Sequence, residues 1–400
     1  MSYPLIPLGN LAKFINGDRG KNYPSKDSFI DEGIPFINAG CLSDRWLLDS
    51  SKYNYISEEA YDRLSSGKIQ KNDILFCLRG SVGKFAVIRD DNKGALASSL
   101  VILRSNEKVD VEYLKHYLAS SLCSKELDNY QNGAAQPNLS ANDFKKFLVP
   151  LPSLAEQRRI ASILDQADEL RQKRSQAIEK LDQLLQATFI DMFGDPVSNP
   201  KGWDLVKVGE VVDEFIGGKN IECPDESDSD YKILKVSAVT SKVYKPNESK
   251  FAPNTFEPNP LAIVEKGDLL FSRANTTELV AATAYVWETP ENIVLPDKLW
   301  KFSISDESKV NKLYLWDLFK NIEFRNELSK LSSGTSGSMK NISKGKLNEL
   351  KMPLPPKELQ DKFAEFSTKL WGQIKTFQQS SDSLDSLFNS LQNQAFNGTL

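Results

Sequence analysis

The chain has 400 residues, about twice the usual domain size, so two or more domains are expected, each long enough to bury a core. A composition of 40% hydrophobic and 26% charged residues, with 21 Gly and 19 Pro, describes a globular chain and not a fibrous, disordered or membrane one. Fifty Lys and Arg stand against 54 Asp and Glu, for a net charge of −4, which argues against a protein that grips nucleic acid unaided.

The N-terminal residues, MSYPLIPLGN, show no basic n-region and no apolar h-region, and no run of about 18 apolar residues follows, so a soluble, cytoplasmic protein is expected. Short β-rich runs come next: IPFINAG from Ile34, DILFCL from Asp73, KFAVI from Lys84 and SSLVILR from Ser98. Between the second and third lies the turn Leu78-Arg79-Gly80-Ser81-Val82-Gly83-Lys84. A helical run, EYLKHYL from Glu112, holds the one histidine, His116. The polar loop Gly133-Ala134-Ala135-Gln136-Pro137-Asn138 then leads into Asn138-Leu139-Ser140 and the strand-like LVPLP ending at Pro152.

From there a long helix is expected, with Ser153 as cap and Glu156 completing a capping box. Ile160, Ile163, Ala167, Leu170, Arg174, Ala177, Leu181, Leu184 and Thr188 step by alternating three and four residues, the pattern of a heptad seam with two polar breaks. Turn formers from Gly194 to Gly202 end this helix and restart the chain.

The second half repeats the first. YKILKVSAV, DLLFSR, ATAYVW and LWKFSI take the place of the earlier β-rich runs, with the turn Ser272-Arg273-Ala274-Asn275-Thr276-Thr277 after the second. LYLWDLF answers EYLKHYL, and the Gly/Ser-rich loop from Ser333 through Lys340 precedes Asn341-Ile342-Ser343 and KMPLP. Asn341 and Pro353 lie 203 residues after Asn138 and Pro150. Phe363, Phe366, Leu370, Gln373, Phe377, Ser380, Leu384, Leu387 and Leu391 repeat the seam at the same offset. Long internal repeats define the fold before any motif does. The expected architecture is α+β: two globular units with mostly antiparallel sheet, each followed by a long helix. The two helices pair as an antiparallel intramolecular coiled coil with pseudo-two-fold symmetry. The boundaries read 1–152, 153–193, 194–355 and 356–400.

No chemistry declares itself. No GxxxxGK[ST], GxGxxG after a strand or GxSxG occurs, and four separated cysteines with one histidine make no recognisable metal spacing. A binding protein is therefore expected, with no catalytic and no metal site. Equivalent loops in the two halves carry donors suited to base edges and phosphates: Arg79, Ser81, Lys84 and Gln136 in the first, Arg273, Asn275, Thr276 and Lys340 in the second. Residues 1–150 hold 19 basic and 18 acidic side chains and residues 194–355 hold 21 and 24, so neither unit is a strong phosphate sponge. A coiled-coil scaffold whose two heads bind proteins fits that balance as the alternative.

The run NLSANDFKKFLVPLPSLAEQRRIASILDQADEL, Asn138 to Leu170, resembles the central helical region of type I restriction-modification specificity subunits. NISKGKLNELKMPLPPKELQDKF, Asn341 to Phe363, with the closing AFNGTL, resembles the distal region of that family. The second copy departs in reading Glu358-Leu359-Gln360 where the first reads Glu156-Gln157. The resemblance implies two target recognition domains, each contacting one half of a split double-stranded DNA sequence through the major groove, with the helices fixing the gap. It also implies two modification subunits, bringing S-adenosylmethionine and adenine-N6 methylation, and two restriction subunits, bringing ATP- and magnesium-dependent translocation and cleavage. It places no cofactor and no catalysis on this chain, from which the lack of a long apolar run already excludes a membrane span, and it carries over no individual base contact.

Overall fold

The computed structural model describes residues 3–43, 45–130, 138–224, 227–241, 243–333 and 339–400. The chain divides into two compact units, residues 1–175 with 379–400 and residues 176–378. Each unit therefore combines one globular head with a segment of both long helices, Leu154–Phe193 and Lys357–Asn397.

In the first unit an antiparallel four-stranded sheet runs in the order Ala12–Asn16, Leu100–Ser105, Ile74–Cys77, Phe85–Val87. Ile74–Cys77 is buried along its whole length, so it reads as a continuous apolar run instead of an alternating one. A three-stranded sheet sets Ile34–Ile37 between Asn54–Ile56, antiparallel, and Ala95–Leu96, parallel. The second unit repeats both sheets with Glu214–Gly217, Leu299–Ser303, Leu269–Ser272 and Thr283–Tyr285, then with Ser249–Phe251, Lys232–Leu234 and Ile293–Val294. The one parallel pair in each head is the exception to the expected antiparallel pattern. A further short pair, Leu5–Pro7 with Leu148–Pro150, is repeated as Leu205–Lys207 with Lys351–Pro353, so each PLP segment leaves the head from a strand edge.

The first helix starts after Ser153, whose hydroxyl accepts from the N–H of Glu156, and it ends at Gly194, which adopts φ +79°. Each helix is clamped to its head by a buried glutamine. Gln157 accepts from the Asp110 N–H at 2.8 Å and donates to the carbonyls of Lys108 and Pro152, both at 3.0 Å. Gln360 accepts from the Asn311 N–H at 2.9 Å and donates to Lys309 and Pro355 at 3.2 and 2.8 Å. These glutamines stand 203 residues apart. The apparent departure in the second copy thus disappears: Gln360 answers Gln157, and Leu359 takes the place of Glu156. Tyr113 and Tyr314 repeat a second clamp, donating to the carbonyls of Pro150 at 2.5 Å and Pro353 at 2.7 Å.

Within each unit the two helical segments run antiparallel. In the first, Arg159 donates to the Leu400 carbonyl at 2.8 Å, while Arg171 meets Asp385 at 2.5 Å and covers the Phe388 ring. In the second, Phe189 and Phe193 pack edge-on against Phe363. The buried stripe differs from the expected seam. Ile160, Leu164, Leu185 and Phe189 are buried on the first helix, and Phe363, Leu370, Ile374 and Phe388 on the second. Ile163, Ala167, Leu181, Phe366, Phe377 and Leu384 are half-buried. Leu170, Leu184 and Leu387 are instead exposed, at 55%, 47% and 52%. The buried stripe keeps spacings that are multiples of seven, as between Leu164 and Leu185 and between Ile374 and Phe388, but at these places it lies one residue on from the seam positions Ile163, Leu184, Gln373 and Leu387.

Candidate nucleic-acid interface

Both candidate loops are hairpin turns at the same sheet edge, held by the Asn-x-Ser segment. In the first head the Cys77 N–H donates to Lys84 O at 2.8 Å, and the turn between them contains Gly80 at φ +82° and Gly83 at φ +94°. Glycine meets those left-handed conformations without strain. The Leu139 N–H donates to Leu78 O at 2.9 Å, and Arg79 bridges Asn138. In the second head the Ile342 N–H donates to Arg273 O at 2.8 Å, and Ala274–Asn275 pairs with Lys340–Asn341. The structure thus brings Asn275 and Lys340 together, though they lie far apart in sequence. Gln136 lies outside the described residues.

Leu139 and Ile342 are again 203 residues apart, so Leu78 corresponds to Arg273, and Arg79 to Ala274. The loops are equivalent but the two arginines are not: Arg273 directly follows its strand, whereas Arg79 stands one residue further on. Arg79, Ser81 and Lys84 are exposed. The Arg79 guanidinium makes no hydrogen bond or ion pair among the described residues, and Arg79 borders a cleft of about 290 Å³ with Asn16, Arg19, Asn138 and Asn142. Arg273 is half-buried and fully engaged. Its Nε donates to Asp297 O at 2.6 Å, Nη1 to Asn341 Oδ1 at 3.0 Å and Nη2 to the Asp297 carboxylate at 3.4 Å, while Cζ sits 5.7 Å from the Trp300 ring centre. Thr276 is exposed at the tip, its N–H donating to Asn275 Oδ1 at 2.8 Å.

Sequence reasoning missed a second polar cleft of about 680 Å³ in the first head, sharing Asn16 and Arg19 with the smaller one and adding Lys13 and Lys68. Its loop is built on Asp18, which accepts from the N–H groups of Gly20 and Ser65, each at 2.8 Å. Those bonds hold the carboxyl below its ordinary range. Gly17 lets the chain pass close to its neighbour, since a Cβ there would lie 2.6 Å from Leu96 O. Only the small Gly and the isolated Asp mark this loop in the sequence, and neither names a role. In the second unit, Tyr244, Tyr285, Trp287 and Trp371 wall a concavity of about 790 Å³.

His116 is fully buried, with Nε2 2.8 Å from Asp165 and Nδ1 without a hydrogen-bond partner among the described residues. Burial depresses its pKa, against the hydrogen bond it donates to Asp165. Asp165 is itself desolvated, yet His116 and Lys115 together hold it down to about 2. The histidine therefore ties head to helix. Among the described residues no group of three or more His, Cys, Asp or Glu is placed to hold a metal ion, and no helix is long and apolar enough to cross a membrane.

Two heads of one design, each presenting a polar hairpin turn at a sheet edge and each clamped to a long helix, define a duplicated recognition protein. The family model described as the type I restriction modification DNA specificity domain matches residues 5–180 and 200–385, and the chain belongs to that family. It is similar to the type I restriction enzyme MjaVIII specificity subunit of Methanocaldococcus jannaschii, with 26% identity over 91% of this chain and 84% of that one. It is also similar to the EcoKI specificity subunit of Escherichia coli K12, with 22% identity over 99% and 89%. Among solved structures, the type I restriction-modification S subunit from M. genitalium shares the fold at TM-score 0.55 and 16% identity, covering 99% of this chain and 96% of that one. A chain from a study of complex assembly and conformational transition in the type I R-M system matches at TM-score 0.54 and 18% identity, covering 100% and 98%.

Proposed function

We propose that this chain is the DNA specificity subunit of a type I restriction-modification complex, with its two heads reading the two halves of a split duplex target. The observation that carries the reading is the duplication itself: one hairpin turn, pinned by the same Asn-x-Ser segment, recurs with different side chains in each head. Different side chains on one scaffold are what two unlike half-sites require. On this reading residues 1–152 and 194–355 are the target recognition domains, and 153–193 and 356–400 are the spacers. The chain performs no catalysis. Two modification subunits and two restriction subunits supply methylation and cleavage together with S-adenosylmethionine, ATP and magnesium. They also supply the non-specific grip on phosphates that a net charge of −4 withholds.

The test is adenine-methylation sequencing of a host expressing the chain with its cognate modification subunit. Two short methylated half-sites at fixed separation are expected. A single continuous motif, or methylation that does not depend on this chain, excludes the reading.

A further inference from the structure

The two heads place an arginine at neighbouring but different positions of the same turn, and the difference separates a reader from a support. The position held by Leu78 faces the core: Leu78 is 4% exposed and belongs to the apolar cluster of its unit. In the second head that core-facing position is Arg273, whose donors are taken by Asp297 and Asn341 and whose plane lies near Trp300. The next position points outward in the first head. There Arg79 is anchored only through its backbone, by the bridge to Asn138 and by the Cys77 thiol donating to its carbonyl at 3.1 Å. The cleft beside it offers Asn16, Asn138 and Asn142 as further donors and acceptors, and Arg19 as a second cation. A free planar fork of N–H donors matches the O6 and N7 acceptors that guanine shows in the major groove.

Building on the function proposed above, we infer that Arg79 reads a guanine in the half-site under the first head, whereas Arg273 is a positioning residue that holds the Asn275–Lys340 pair. The half-site under the second head then owes no G·C pair to Arg273, and its turn presents the amide of Asn275 and the hydroxyl of Thr276, groups suited to adenine edges or phosphates.

The experiment compares methylation motifs of the full complex carrying Arg79→Ala, Arg79→Lys, Arg273→Ala and Arg273→Lys. Arg79→Ala is expected to lose about tenfold to hundredfold discrimination at one G·C position of one half-site, leaving the other half-site intact. Arg79→Lys keeps part of that preference, because an ammonium still donates to the same acceptors. Arg273→Ala lowers methylation at every site without changing a letter of the motif. Arg273→Lys, whose ammonium can still donate toward Asp297 and Asn341, restores part of the methylation with the motif unchanged. A uniform loss with an intact motif in Arg79→Ala would assign that arginine to a phosphate and overturn the inference. So would relaxation of a single G·C position in either Arg273 variant. Absence of a bipartite motif in the unmodified complex would instead count against the chain as a specificity subunit.

Discussion

Gln157 and Gln360 show how much one buried amide can hold. Each satisfies a helix-capping N–H and two carbonyls inside the head, groups that would otherwise be desolvated without partners. Gln157→Leu fills the same space and leaves them unpaired. It is expected to cost about 2–4 kcal/mol, measured by denaturant unfolding of the full chain. His116 makes a second prediction at this scale. It faces Lys115, Asp165 and Asp168, and burial lowers its pKa from the ordinary 6.5. The unfolded chain therefore binds this proton more readily, so the stability His116 provides is complete above pH 6.5 and falls as the pH drops toward the depressed value. The loss amounts to at most about 1.4 kcal/mol per pH unit for one proton. A urea midpoint that falls between pH 6.5 and 5.5 in the unmodified chain, and falls less in His116→Gln, is the expected result; parallel curves would remove His116 from the account.

The long helices show what an element-level reading can and cannot carry. Their existence, their ends and their 203-residue offset follow from capping residues, Gly194 and an apolar period, all local signals. The side of the helix that is buried does not, because Ile163 and Leu164, like Leu184 and Leu185, are apolar chain neighbours, and spacing alone does not choose which of each pair faces inward. Leu164 and Leu170 test that choice. Leu164→Ala is expected to destabilise its unit by about 2–5 kcal/mol and Leu170→Ala by less than about 0.5, in the same unfolding assay. The head turns were legible to a similar depth. Their positions followed from the strands before them, and so did the one-residue offset between Arg79 and Arg273, since DILFCLR and DLLFSRA align without a gap. What was not legible is the segment that pins each turn, a pairing of Leu139 or Ile342 with a carbonyl more than 60 residues away. The cleft of Lys13, Arg19 and Lys68 was hidden for the same reason, since its walls come from separate segments.

For the whole molecule, the helices of a specificity subunit should set the separation of its half-sites. Inserting seven helical residues at the junctions after Ser175 and Gln378 lengthens each helix by about 10.5 Å. The methylated half-sites are then expected to move apart by about three base pairs, with the letters of both unchanged; an unchanged gap would separate spacing from helix length. The division of the chain has a consequence for its biosynthesis. Phe388, Ala395 and Phe396 lie in the same apolar cluster as Phe76, Tyr113 and Ile160, yet they leave the ribosome only after residues 176–378. The unit that begins to be made first is therefore completed last, and its core waits with an open flank while the other unit is translated. A nascent chain with such a delay offers apolar surface to chaperones for the length of a whole domain's synthesis, and translation speed across the second head becomes part of how the first one folds.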